Sequence, residues 1–346
     1  MKKNIILILL VFSSTIVFAQ QTKKDSILKS IEEYRAMVFK DASTFINNSF
    51  SIEERIKAIQ KHAIIYDDNQ KDQFKRIVLS ERETPEIRAM GLNKIYSEVD
   101  KDEKFFDQIV LWFSNPKTPK ILRDETLSLI GNLSFSSRPG ILDAYHKMVE
   151  DPDKVYREFV FTKLVINGDS RAQQLLIKGL EDANSRLIDP ILSILILSSA
   201  PKKDFYPAVY KLMLETKNDD ERLIAIETIG GYPEAKNKLM SIFLSPEEKS
   251  KFRESALIAF YSSNKQETTK YLSRLLLDTS ASSALQILVI QIAINEKKAI
   301  AHRKKANRAD ELDNLIKAIS ENKGINNNND QVNVAKKYLL LIRPKF

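Results

Sequence analysis

Six cations crowd into residues 297–308: Lys297, Lys298, Arg303, Lys304, Lys305 and Arg308, with no acid among them. Such a density of positive charge suits an anionic partner: a phosphate-rich envelope glycan, an acidic protein or nucleic acid. The run holds no Phe, Tyr or Trp, so it lacks the stacking platforms that single strands use. Its plainer reading is a solvated basic connector between helices.

Other chemistry finds little support. The three histidines, His62, His146 and His302, stand far apart, and none belongs to an HExxH motif. A transition-metal site needs three or four converging ligands, and the chain has no cysteine, so neither a metal nor any other cofactor is expected. No GxSxG elbow, phosphate-binding glycine loop or GxGxxG is present. The acid pairs Glu53-Glu54, Asp219-Asp220 and Glu247-Glu248 read as first-turn residues that complement a helix dipole. An enzyme assembled from dispersed residues without a motif is the remaining catalytic alternative.

Arginine is the residue whose spacing carries a message. Arg88 is followed at offsets four and seven by Leu92 and Ile95, Arg123 by Leu127 and Ile130, and Arg157 by Phe161 and Leu164. Arg222 is followed by Ile226 and Ile229, and Arg253 by Leu257 and Phe260. Arg55 opens the series with Ile59 and His62, while Leu187 and Ser283 keep the apolar shadow without the arginine. The steps from 55 to 283 are 33, 35, 34, 30, 35, 31 and 30 residues, a period that marks stacked helical repeats. The arginines could form a cationic stripe. Their spacing follows the repeat rather than a ligand, so Arg88, Arg123, Arg157, Arg222 and Arg253 are expected to bond neighbouring carbonyls and carboxylates.

Each period holds two amphipathic helices, the arginine opening the second. Apolar stripes such as Phe105, Phe106, Ile109, Val110 and Phe113 mark the first helices, with Trp112 at the edge of that one. Second helices are expected near 52–66, 86–97, 120–133, 154–166, 185–198, 219–230, 249–261 and 282–294. Thr84-Pro85, Thr118-Pro119, Asp151-Pro152 and Ser245-Pro246 read as cap-proline starts. Pro190 falls inside the fifth second helix, where it should kink it.

These second helices resemble HEAT repeats. Asp151-Pro152-Asp153-Lys154-Val155-Tyr156-Arg157 and Thr84-Pro85-Glu86-Ile87-Arg88 are close to that family's Asp-Pro, Val-Arg and spaced-leucine pattern. The resemblance covers most of 51–294. It implies an all-α, right-handed α-solenoid of about nine stacked antiparallel helix pairs, a HEAT-like superhelix with the second helices on the concave face. It also implies that each arginine pairs with a preceding aspartate, as Asp151 would with Arg157. At Arg123 the matching place holds Lys117.

Residues 1–19 read as a signal peptide: Lys2 and Lys3, the apolar run Ile5–Phe12, then Val17 and Ala19 before the cut. Ser13, Ser14 and Thr15 leave that run too short to span a bilayer, which takes ~20 apolar residues. The expected layout is then HEAT-like helical repeats over 20–296, a basic connector over 297–308 and a C-terminal capping helix pair over 309–346. Cleavage takes the net charge from +8 to +6 and leaves no integral membrane segment. The chain is expected in the periplasm or outside the cell, as a non-catalytic scaffold that binds a protein partner. The alternative is an anionic polymer on the 297–308 patch: an envelope glycan, with nucleic acid disfavoured by export.

Overall fold

The computed structural model describes residues 26–62, 65, 67–132, 140–302, 311–321 and 335–336, and every regular element among them is helical. The chain is all-α. Two compact units divide it, Met1–Tyr156 and Arg157–Phe346.

In the first unit α1 spans 26–46, followed by α2 (Ile52–Gln60), α3 (Asp68–Leu79), α4 (Pro85–Lys94), α5 (Glu103–Ser114), α6 (Lys120–Asn132) and α7 (Ile141–Lys147). Helix α8 (Lys154–Ile166) runs from the first unit into the second. The second unit continues with α9 (Ser170–Glu181), α10 (Pro190–Ser198), α11 (Tyr206–Glu215), α12 (Asp219–Thr228), α13 (Lys236–Leu244), α14 (Ser250–Ser263), α15 (Lys265–Leu277), α16 (Ser283–His302) and α17 (Glu311–Ser320).

Short polar side chains start these helices by taking otherwise unpaired amides. Ser51 and Glu54 close a reciprocal capping box on α2, so Glu54 has the capping role expected of it. Asp67, Asp102, Asp169 and Asn218 cap α3, α5, α9 and α12. Gly168, at φ 80°, ends α8: its amide bonds Val165 O at 2.9 Å and that of Asp169 bonds Leu164 O at 2.9 Å. This Schellman turn needs a left-handed residue, and it delivers Asp169 directly as the next cap.

Consecutive helices pack as pairs: α3 on α4 and α5 on α6 in the first unit, then α9 on α10, α11 on α12, α13 on α14 and α15 on α16 in the second. Second helices also touch second helices, α2–α4–α6 in one unit and α10–α12–α14–α16 in the other. First helices meet likewise, as α5 meets α7 and α9 meets α11. The core lies between the two rows. Phe45 stacks on Phe74 with centroids 4.5 Å apart, and Phe243 meets Phe260 edge-on at 5.3 Å. Close approach is needed at Gly230, where a Cβ would sit 2.5 Å from the carbonyl oxygen of Ala259 on α14.

Four expectations about helix starts give way, Thr118-Pro119 among them, since α6 begins only at Lys120. Pro190 is the first residue of α10, with Asp189 as its cap, so it begins that helix instead of kinking it. A proline at the first position gives up an amide that has no partner anyway. Pro152 and Pro246 lie in turns ahead of α8 and α14, which begin at Lys154 and Ser250. Helix α16 continues to His302, so residues 297–302 of the expected connector are helical. In the expected C-terminal pair, residues 309–310, 322–334 and 337–346 lie outside the described residues.

Candidate functional site

The arginines are built into the packing. The Nε of Arg55 donates to Phe45 O at 2.7 Å, that of Arg88 to Val78 O at 2.9 Å, that of Arg123 to Phe113 O at 2.8 Å and that of Arg253 to Phe243 O at 3.2 Å. Each carbonyl lies ten residues back, at the C-terminal end of the paired first helix. Helix ends leave such carbonyls without intrahelical partners, and the guanidinium supplies the missing donor.

The terminal nitrogens reach forward to the next pair. Arg55 holds Glu83 through two bonds of 2.8 and 2.9 Å, 28 residues on. Arg123 holds both oxygens of Asp151, again 28 residues on. Arg222 holds Glu248 at 2.7 and 3.0 Å, and Arg253 holds Asp278 and Ser280. One side chain therefore ties a helix pair to the loop of the following pair. In these four the acid comes after the arginine, and Asp151, the aspartate that precedes Arg157, is bound by Arg123. Arg157 donates its Nε to Leu187 O at 2.9 Å. Glu248, expected in a first helix turn, lies before α14 as one of these partners.

Arg88 differs. The loop 115–119 brings no acid, Arg88 forms no ion pair among the described residues, and its guanidinium carbon lies 4.7 Å from the Trp112 ring centre. Burial pulls its pKa down, partly offset by Glu81. Similar ring contacts occur at Arg123 over Tyr156, 3.7 Å, and Arg222 over Phe252, 4.5 Å.

The two copies without arginine have a corrected register. Gln286 reaches Leu276 O, ten residues back at 3.5 Å, as the arginines do, so it replaces Ser283 in the series. In α10 the fourth helical residue, where Arg88 stands in α4, is Ser193 and not Leu187. Its followers at four and seven, Leu197 and Ala200, are both buried.

Arg55, Arg88, Arg123 and Arg253 are at most 9% exposed, which leaves them unavailable as a cationic stripe. What the second helices offer outward is another register. Five residues after the arginine position stand Gln60, Asn93 and Ser128 in the first unit, and Ser198, Glu227 and Ile258 in the second, all exposed. Cross-helix bonds brace this row: Asn93 Nδ2 donates to Glu125 Oε1 at 2.9 Å, and Ser255 Oγ donates to Glu227 Oε1 at 2.9 Å.

No family model matches the chain, and no curated protein and no solved structure matches it. The geometry therefore has to speak alone. An open cleft of about 560 Å³ lies between two interhelical loops of the first unit, bounded by Pro116, Lys120, Pro152, Asp153 and Lys154, with Tyr156 and Arg123 in its wall. The Tyr156 hydroxyl donates to Asp124, and burial with that bond pushes its pKa up.

The histidines lie on separate elements. His62 is 1% exposed; its Nε2 sits 2.7 Å from Asp41 Oδ2, and its Nδ1 has no hydrogen-bond partner among the described residues. His146 is near the end of α7, and His302 ends α16. Among the described residues no group of three or more His, Asp or Glu is placed to hold a metal ion. No described helix is long and apolar enough to cross a membrane. Of the basic cluster, Lys297 and Lys298 fall in α16, while Arg303, Lys304, Lys305 and Arg308 lie outside the described residues.

A single repeat does not reveal Glu83 and Asp278, nor that Asp151 and Glu248 serve the arginine of the repeat before them. A signal existed: Glu83, Asp151 and Glu248 stand five or six residues before the next arginine, Arg88, Arg157 and Arg253.

Proposed function

We propose that this chain is an exported, non-catalytic scaffold that binds a protein partner across the outward faces of its second helices. Its pairs would form a right-handed HEAT-like α-solenoid of about nine layers, acting in the periplasm or outside the cell. The observation that carries the reading is the row five residues after the arginine position on α2, α4, α6, α10, α12 and α14, exposed at all six, whereas Thr162 at the same place on α8 is half-buried. A surface repeated in register over several helices grips an extended partner through many modest contacts. The clamps support the reading by fixing that register with buried bonds, so the row is preorganised.

The test is the salt dependence of partner capture. Binding through a row whose single charge is Glu227 falls little between 50 and 200 mM salt, whereas an anionic polymer neutralising six cations would lose on the order of a thousandfold. A steep loss that disappears when the six cations of 297–308 are neutralised would move the function to that patch.

A further inference from the structure

Four registers of a second helix fall within about 100° of arc on the side away from the arginine: two residues before it, then one, two and five after it. On α10, α12 and α14, counted from Ser193, Arg222 and Arg253, that face holds an apolar patch. Leu195 is 51% exposed and Ile258 is 53% exposed, with Ile191, Leu223 and Ile224 half-buried beside them. Helix α10 packs on α12 and α12 on α14, so these side chains share one surface of the second unit. On α2, α4 and α6 the same registers are mainly polar, with Glu53, Lys57, Glu86, Asn93 and Glu125 among them.

The charge on this face opposes that of the chain. The chain carries +8, yet the four registers of α10, α12 and α14 hold Asp220, Glu227 and Glu254 against Lys251 alone. Asp220 and Lys251 lie 3.9 Å apart and offset each other. Glu227 accepts from Ser255 Oγ at 2.9 Å, and Glu254 accepts from Ser282 Oγ at 2.8 Å. Both donors are neutral, and neither acid forms an ion pair among the described residues, so two negative charges stand uncompensated beside the patch.

We propose, resting on the scaffold reading above, that this face docks a cationic amphipathic helix of the protein partner. The apolar stripe of that helix lies on Leu195, Ile224 and Ile258, and its lysines or arginines meet Glu227 and Glu254. Neighbouring second helices stand about 8–10 Å apart. A helix repeats its apolar face every two turns, about 10.5 Å, so one lying across them meets each with the same side. The two carboxylates repel an acidic segment and an anionic membrane alike.

Fluorescence anisotropy with two synthetic peptides of about five helical turns tests this. They share one leucine stripe at helical spacing and carry either lysine or glutamate elsewhere. The lysine peptide is expected to bind the purified protein at least tenfold more tightly than the glutamate peptide. Glu227→Gln with Glu254→Gln removes that preference, while the amide oxygens still accept the two serine bonds. Leu195→Gln with Ile258→Gln weakens the lysine peptide at least tenfold at unchanged melting temperature, since both side chains are about half exposed. Equal affinity for the two peptides overturns the proposal, as does a preference that survives the glutamine pair or binding indifferent to Leu195 and Ile258. Neutral lipid vesicles bound through Leu195 also overturn it and assign the face to a membrane surface. A protein partner captured from an envelope extract that ignores Leu195→Gln with Ile258→Gln overturns this inference alone and leaves the scaffold reading standing. Capture of no protein overturns the scaffold reading and this inference with it.

Discussion

Arg123 and Asp151 lie 28 residues apart and hold each other through two bonds, with their side chains 4% and 2% exposed. A third bond ties Arg123 to the Phe113 carbonyl. A buried ion pair adds little over a well-packed apolar pair, but removing one partner strands a charge. Asp151→Ala should therefore destabilise the first unit by about 3–5 kcal/mol. Arg123→Met combined with Asp151→Leu should recover most of that loss. Urea unfolding of the single and double variants decides it; equal losses in all of them would show that packing alone matters.

Arg88 lacks the acid that Arg55 and Arg123 find 28 residues on. At that offset stands Pro116. Pro116→Asp should supply the partner and stabilise by about 1 kcal/mol, in line with a bond to a charged group. The gain should vanish when Arg88 is replaced by Met. A gain that persists in that background would come from the loop itself.

Gly230 touches the neighbouring second helix where no Cβ fits, 2.5 Å from Ala259 O. Gly230→Ala should cost about 1–3 kcal/mol by forcing the 3-10 turn that follows α12 away from α14. Gly231→Ala nearby, where the closest atom is the Tyr206 hydroxyl at 3.4 Å, should cost less. Thermal melts of the two variants make the comparison, and equal losses would contradict the close-approach account.

Asp41 in the first unit and Asp278 in the second are both held below the ordinary value of 3.8. Burial pushes each up, but bonds from His62 and Lys61 to Asp41, and from Ser280 and Arg253 to Asp278, outweigh it. A depressed carboxylate contributes stability that is complete above its unfolded pKa and is lost as pH falls through its folded one. Both units should therefore hold their melting temperatures down to about pH 4 and lose them below it. Asp278→Asn should flatten that acid limb for the second unit. An unchanged limb would assign acid sensitivity to other carboxylates.

Much of the architecture could be read from apolar shadows behind arginines, because offsets of four and seven fall on one helix face. Ile59, Leu92, Phe161, Ile226 and Leu257 are all fully buried, although Leu127 is only half-buried. The shadow failed in the fifth copy because Ile191 to Leu197 is apolar nearly all round, so several registers fit. There Asp189-Pro190, a cap followed by a first-position proline, was the stronger signal. The clamps were half legible. Burial and carbonyl bonding follow from the arginine's place beside the core, but the acid belongs to the next repeat and appears only when neighbours are aligned. The outward row five residues on was equally hidden, since Gln60, Asn93, Ser128, Ser198, Glu227 and Ile258 share a position but not a chemistry.

The scaffold reading meets its most direct test in partner capture from an envelope extract of the chain's own host. Three immobilised forms are compared: the native protein, a form with Gln60, Ser128 and Ser198 all changed to Arg, and a form neutralised across 297–308. The account predicts one protein recovered by the native and neutralised forms and lost by the arginine-row form, with equal melting temperatures for all three. Recovery that ignores the row, or of glycan or nucleic acid by forms with an intact basic run alone, would contradict it.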